Sequence, residues 1–225
     1  MAKKWKVGLS VLITCLILVL IPIGVIAATN INQKTSNRVS FRVTDFEGTF
    51  YAKFQDETTT NPTLAHVFTS AFNSAQNDYV ITKGNGVTEE SGVITYTMPA
   101  VTFNFDNTKV TYTLAFVNSG SNAVAIDFES DSDVEAEFKN AKAKTSIQYE
   151  VLTVANSSIE ALPEFTNSAV NLAEDTKQFN NVTIPGSNGV TYSVIVINYV
   201  LEVTPEVTKS FNTNIDLTLN LTTIV

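Results

Sequence analysis

Apolar and polar residues alternate at every second position through most of the chain after residue 28. A period of two is typical of strands that bury one face and expose the other to water. Segments that predict such strands are RVSFRVT, TFYAKF, GVITYTM, VTFNF, SIQYEVLTV and KQFNNVTI. The clearest pattern is FNTNIDLTLNLTT, in which one side would carry Phe211, Ile215, Leu217, Leu219 and Leu221. The pattern therefore predicts a sandwich of antiparallel sheets.

Two longer segments suggest how the strands connect. In residues 109–128, KVTYTLAFVNSGSNAVAIDF, two alternating runs flank NSGSN, which predicts a hairpin that ends near Phe128. In residues 190–203, VTYSVIVINYVLEV, the apolar residues lie on even positions up to Val196 and on odd positions from Ile197. A strand that changes its buried face in this way is expected to contain a bulge, or to cross from one sheet to the other.

Helical spacing interrupts the alternation at two places. In residues 60–78, TNPTLAHVFTSAFNSAQND, apolar residues recur every three or four positions, with Asn61 as N-cap. This predicts a helix from Pro62 to about Gln76. Further along, Ser132 and Glu135 have the spacing of a capping box, so a second short helix is predicted from Asp133 to about Ala143.

A run of acidic residues precedes the second predicted helix. Carboxylates stand at every odd position from Asp127 to Glu137, and the simplest interpretation is a strand end, a turn and a capped helix start. The alternative is a structural calcium site, because carboxylate oxygens in a turn are suitable ligands for this ion. Its candidate ligands are Asp127, Glu129, Asp131 and Asp133.

The first 28 residues have the features of an export signal. Three lysines precede an apolar run of 21 residues from Val7 to Ala27, which is long enough to span a bilayer. Cleavage is expected between Ala27 and Ala28, and a retained N-terminal membrane anchor is the alternative. Either outcome places the remainder, residues 29–225, outside the cell as a single domain.

Charge and residue usage restrict the function further. The formal net charge is −8, and residues 29–225 carry 11 basic against 22 acidic side chains. Such a surface repels nucleic acid and favours divalent cations. Trp5 and Cys15 are the only residues of their kinds, so no disulfide can form within residues 29–225.

Candidate catalytic chemistry is sparse. His66 is the only histidine, it would lie on the polar side of the first predicted helix, and no HExxH motif is present. The segment KGNGVTEESG suits turns better than a phosphate-binding loop. No cofactor is predicted apart from the alternative calcium ion, and the protein is expected not to be an enzyme. A hydrolase that uses two carboxylates remains a remote alternative.

The layout resembles the TasA/camelysin-like proteins that Gram-positive bacteria export. The resemblance rests on KKWKVGLSVLITCLILVLIPIGVIAA, the predicted hairpin VTYTLAFVNSGSNAVAIDF and the closing strands VTYSVIVINY and IDLTLNL. It implies an all-β fold, a jelly-roll-like antiparallel β-sandwich. Together with the helical spacing above, we expect two short inserted helices and a hydrophobic helix before the sandwich.

The resemblance also implies self-assembly into extracellular fibres of a biofilm matrix. The N-terminal stretch of one subunit would add as a strand to its neighbour. Here the donor would come from residues 28–44, with Val39, Phe41 and Val43 in alternation. The alternative is that this strand pairs within its own sandwich. A different class of function, a membrane-tethered extracellular binding or adhesion module, is favoured if residues 7–27 remain in the membrane.

Overall fold

The structure consists of strands arranged in two sheets. It is a computed structural model that describes residues 33–43, 46–60, 62–103, 107–130, 143–155, 170–171, 178–203 and 212–224. Within these ranges there are thirteen strands and no helix. The strands are β1 (Gln33–Val43), β2 (Gly48–Asp56), β3 (Leu64–Asn73), β4 (Asp78–Lys83), β5 (Val87–Glu90), β6 (Val93–Phe103), β7 (Lys109–Asn118), β8 (Ala123–Ser130), β9 (Ala143–Val154), β10 (Val170–Asn171), β11 (Gln178–Ile184), β12 (Tyr192–Val203) and β13 (Asn212–Ile224).

The strands form a six-stranded sheet and a seven-stranded sheet. Sheet A has the order β11-β8-β13-β1-β6-β5, and sheet B has the order β10-β9-β12-β7-β2-β3-β4. Among the described ladders, β1–β13 is parallel and all others are antiparallel. The prediction of an all-β protein with two largely antiparallel sheets is therefore confirmed.

The main core contains apolar side chains from both sheets, with aromatic rings at its centre. Phe41 of sheet A lies 4.4 Å from Phe50 and 5.2 Å from Phe68 of sheet B, measured between ring centroids. Phe50 also stacks on Phe116 at 4.7 Å. The expected alternation is clearest in β13, where Leu217, Leu219 and Leu221 are buried. Aromatic pairs at these distances add to the free energy gained from burying their area.

The predicted helix from Pro62 to Gln76 is wrong, because residues 64–73 form strand β3. A bulge explains the error. Phe68 pairs with Phe50 and His66 pairs with the next residue, Tyr51, so Val67 is an extra residue in the ladder. An extra residue shifts a period-two pattern by one position. Val67 and Phe68 are both fully buried as a result, and the spacing resembles that of a helix.

The predicted hairpin at residues 109–128 is also wrong, although both of its strands exist. Strand β7 lies in sheet B between β12 and β2, whereas β8 lies in sheet A between β11 and β13. The NSGSN turn therefore joins the two sheets. Its first residue, Asn118, is fully buried and donates from Nδ2 to the carbonyls of Asn122 and Pro185, which holds the crossing in place.

The expected bulge or crossing at residues 190–203 is absent from β12. Its ladders to β7 and β9 run without a register shift. The apolar residues on both faces have another cause, because sheet B carries a second apolar cluster on its outer face. This outer cluster is formed by Tyr51, Ala115, Val117, Val194 and Val196.

Several predictions lie outside the described residues. These are the hydrophobic segment 7–27, the cleavage point at Ala27 and Ala28, and residues 133–142 of the helix predicted from Asp133 to about Ala143. The last residue of that helix, Ala143, instead begins strand β9. The described residues include no helix that could span a membrane.

Candidate assembly site around the first strand

Strand β1 lies inside sheet A rather than at its edge. It runs parallel to β13 from Lys34↔Asn212 to Val43↔Leu221. On its other side it runs antiparallel to β6, with a register shift between Thr35 and Asn37. A parallel neighbour cannot be reached through a tight turn, so β1 and β13 come together from distant parts of the chain.

Two of the predicted donor residues, Val39 and Phe41, occupy the core side of this strand. Val39 and Phe41 are fully buried. Val39 stands between Leu217 and Tyr96 in register, and Phe41 stands between Leu219 and Ile94. Val43 is in register with Leu221. The described structure therefore shows this strand paired within its own chain, which is the alternative that the sequence left open.

The other side of β1 is polar. Arg38 and Arg42 are exposed, and the Ser40 hydroxyl lies 3.4 Å from the hydroxyl of Thr95 on β6. The strand thus presents an apolar face to the core and a hydrophilic face to water. This pattern allows one register only, because a slip by one residue would exchange the two faces.

The residues that follow β1 are attached to the opposite sheet. Phe46 packs edge-on against Phe116 of β7 at 5.2 Å, and its carbonyl accepts a hydrogen bond from the Ser70 hydroxyl. The Glu47 carbonyl accepts hydrogen bonds from the amides of Ser119 and Gly120. Two residues, 44 and 45, therefore link a strand of sheet A to a segment that is fixed on sheet B.

A polar cluster that we call the clasp joins the two sheets at the opposite end of β2. Asn107 is buried, and its Nδ2 donates to Asp56 Oδ2 and to the Thr102 carbonyl at the end of β6. Its Oδ1 accepts the Glu57 amide. The Glu57 carboxylate in turn accepts the amide and the hydroxyl of Thr108.

Hydrogen bonds to Asp56 and Glu57 stabilise the ionised forms of the two carboxylates of the clasp. Burial raises the pKa of Asp56, but hydrogen bonds from Thr59 and Thr58 outweigh this, so its pKa lies below the usual 3.8. The amide and hydroxyl of Thr108 lower the pKa of Glu57 below 4.5. Sequence analysis missed the clasp, although an Asp followed two residues later by Thr, as in DETTT, is a recognised turn pattern.

The calcium candidates are only partly within the described residues. Asp127 and Glu129 lie two residues apart on β8, opposite Asn220 and Thr218 of β13. Asp131 and Asp133 lie outside the described ranges. No group of three or more metal-ligating side chains is present within the described ranges. The calcium site stays a prediction.

His66 lies on a strand rather than on the predicted helix. It is half-buried on β3, and its Nε2 is 2.9 Å from the Thr69 hydroxyl. Its ring is 6.0 Å from that of Tyr51.

In comparisons with known proteins, no family model matches this chain and no curated protein matches its sequence. The interpretation of function therefore depends on the geometry around β1.

Proposed function

We propose that this protein is an exported structural protein of a bacterial surface or matrix, and that it assembles by exchange of β1 between copies. The observation that carries the proposal is the position of β1, an N-terminal strand held between β13 and β6 and linked to the next strand by residues 44–47. The jelly-roll topology and the export of the chain belong to the same proposal and rest on the sequence.

Withdrawal of β1 would divide sheet A into β11-β8-β13 and β6-β5. The vacated groove would expose the apolar residues that now contact Val39 and Phe41, at a cost of about 1.5–3 kcal/mol for each of these two side chains. A β1 strand from a second copy matches the groove in register and in side-chain pattern, because it is the same sequence. Exchange therefore restores the same contacts between chains.

The attachment after β1 gives the exchange a direction. Phe46 and Glu47 remain fixed on sheet B of their own chain, so the donor and its body would separate at residues 44–45. Each copy would then donate one strand and accept one strand through different surfaces. Such a heterologous contact produces an open fibre unless the rotation between copies closes a ring.

Electron microscopy tests the proposal at its most general level. A chain shortened to start at Ala28 is compared with one shortened to start at Asp45, with and without calcium. Regular fibres are expected from the longer chain alone. Monomers from both chains, or fibres from both, would contradict a role of residues 28–44 in assembly.

Engineered disulfides test whether strands are exchanged, without shortening the donor. The chain that starts at Ala28 has no cysteine. Ser40→Cys with Thr95→Cys would link β1 to β6, because the two residues are in register and their hydroxyls lie 3.4 Å apart. In fibres, oxidation is expected to give covalent multimers on non-reducing denaturing gels.

The matched control is Thr49→Cys with Thr69→Cys. These residues pair β2 with β3 inside one body, with hydroxyls 3.1 Å apart, so oxidation should cross-link each chain to itself. If the β1–β6 pair in fibres also gives only internally linked monomers, β1 has not been exchanged and the proposal fails.

A further inference from the structure

A small cleft opens at the end of the sandwich where residues 46–47 connect to β2. It has a volume of about 60 Å³ and lies between the β3–β4 hairpin, the β7–β8 turn and the end of β13. Its lining includes Glu47, Tyr79, Asn118, Gly120 and Ser121. A water molecule needs about 10–15 Å³ of such space, so the cleft has room for a small polar group and part of the chain that carries it.

The charge in the cleft is negative. Among the described residues that line it, Glu47 is the only charged side chain. Its Oε1 accepts the Phe72 amide at 2.9 Å, which fixes the carboxylate beside the hairpin. A carboxylate has about four lone-pair sites, so this bond leaves capacity for a donor from a ligand.

The hairpin adds an aromatic wall beside the carboxylate. Tyr79 lines the cleft, and its ring centroid lies 5.3 Å from that of Phe72. The Phe72 side chain is 44% exposed. Aromatic faces attract cations through their quadrupole, and they cover the apolar stem of a side chain at the same time.

The base of the cleft is rigid. Asn118 is fully buried, its Nδ2 donates to two carbonyls and its Oδ1 accepts the Gly120 amide. These hydrogen bonds fix the Asn118 side chain at the base of the cleft. A calcium ion would need six to eight oxygen ligands and usually several carboxylates, which a single Glu does not supply.

From these observations we propose that the cleft binds a protonated primary amine at the end of an alkyl chain, as in a lysine side chain. The Glu47 carboxylate would accept a charge-assisted hydrogen bond from the ammonium group, and Tyr79 would contact the methylene groups. The acidic surface, with a formal net charge of −8, adds long-range attraction for such a group. This site is independent of strand exchange.

The test is a titration of the full-length, ¹⁵N-labelled chain with Nα-acetyl-lysine methylamide, in which two-dimensional NMR spectra are recorded at each ligand concentration. We expect saturable shifts of the Gly120 and Ser121 amide signals. The neutral analogue Nα-acetyl-norleucine methylamide has an alkyl side chain without the amine and should give no saturable shift. Equal shifts with both compounds would overturn the proposal. So would the absence of shifts with the lysine compound up to about 20 mM, where even weak binding would be detected.

Two variants separate charge from shape. Glu47→Gln keeps an acceptor for the Phe72 amide but removes the charge, and it should weaken binding about tenfold or more. Gly120→Ala adds a methyl group that would lie 3.5 Å from Glu47 Cβ and Asn118 Oδ1, an ordinary contact that narrows the cleft. It should also weaken binding.

Glu90 is exposed and is the last residue of β5, so Glu90→Gln is the matched control for the loss of one negative charge. It should leave the affinity within about twofold of the parent value, because Glu90 does not line the cleft and an exposed charge is screened by salt. If Glu90→Gln weakens binding as much as Glu47→Gln does, the amine is attracted by net charge alone and the cleft is not its site.

Discussion

The outward faces of the two sheets differ in polarity. On sheet A, the strands β1, β6 and β13 present Arg38, Arg42, Thr97 and Thr222, which are exposed. On sheet B, Val194 and Val196 of the outer cluster are fully buried, like the residues of the main core. Strands with one wet face show a clean alternation, whereas strands that are dry on both faces carry near-continuous apolar residues.

This difference determines which strands can be recognised in the sequence by alternating apolar and polar residues. The residues of β13 alternate because one of its faces contacts water. In β12 the alternation is lost although the strand is regular, because Val196 faces the outer cluster while Ile195 and Ile197 face the main core. An irregular apolar pattern therefore signals a second buried face here, and not a bulge.

The largest expected effect tests the comparison directly. Val196→Asp places a carboxylate in the outer cluster, where the parent side chain is fully buried, and should lower the free energy of unfolding by about 3–5 kcal/mol. Thr97→Asp introduces the same side chain on the exposed face of β6, and it should lower the free energy of unfolding by less than about 1 kcal/mol. Denaturant unfolding of both variants gives the two values. Equal losses would show that the faces do not differ in burial.

A smaller effect is expected at the clasp, where the ends of the two sheets meet. Asp56→Asn would replace an acceptor with an NH₂ group facing the Asn107 NH₂ group, and should cost about 1 kcal/mol at neutral pH. Asp78→Asn, at an exposed position, controls for the loss of one negative charge.

The same variant should also change the pH dependence. The folded pKa of Asp56 lies below 3.8, so ionised Asp56 stabilises the fold above that pH, and the stabilisation is lost as the pH falls through the folded value. Thermal unfolding from pH 7 to pH 2 should show the difference between parent and Asp56→Asn shrinking below about pH 4. A constant difference over this range would contradict the stabilising role assigned to the ionised Asp56 carboxylate.

A backbone effect of similar or smaller size is expected at the edge of sheet A. Ser91 and Gly92 form the two-residue turn between β5 and β6, with φ angles of 51° and 77°. Gly92→Ala would place its Cβ in open space, so its cost of about 1 kcal/mol reports backbone strain alone. Ser91→Asn should stabilise by a few tenths of a kcal/mol, because Asn tolerates this conformation. Thermal unfolding measures both.

The smallest effect concerns the ion pair between the sheet edges. Lys83 on β4 and Glu89 on β5 lie 3.2 Å apart, and both are partly exposed. A double-mutant cycle with Lys83→Met and Glu89→Gln should give a coupling below about 0.5 kcal/mol that disappears in about 1 M salt. A larger, salt-resistant coupling would show that this pair holds the two sheet edges together.

Sequence reasoning predicted individual strands better than their partners. The alternation in β1 and β13 is visible locally, and the burial of Val39 and Leu219 follows from it. The crossing after Asn118 was not visible, since its stabilising contacts include Pro185, far along the chain. The bulge at Val67 lets two apolar residues that are adjacent in the sequence both be buried, and this spacing resembles that of a helix.

The candidate sites show the same limit. Val39 and Phe41 were identified from their spacing, but their neighbours on β6 and β13 are set by long-range pairing. The cleft joins Glu47, Tyr79 and Asn118, which share no local pattern, so no periodicity could have grouped them. The clasp had a recognisable turn at Asp56, whereas its link to Asn107 is a tertiary contact.

The parallel ladder between β1 and β13 affects the order in which the fold can form. A ribosome makes β1 first among the described strands and β13 last. During synthesis β1 can pair with β6 early, but its other side has no native partner until residues 212–221 have been made. Until then one edge of β1 lacks its native neighbour and is available to a second copy of the chain. Slowing translation before residue 212 would delay the appearance of that neighbour.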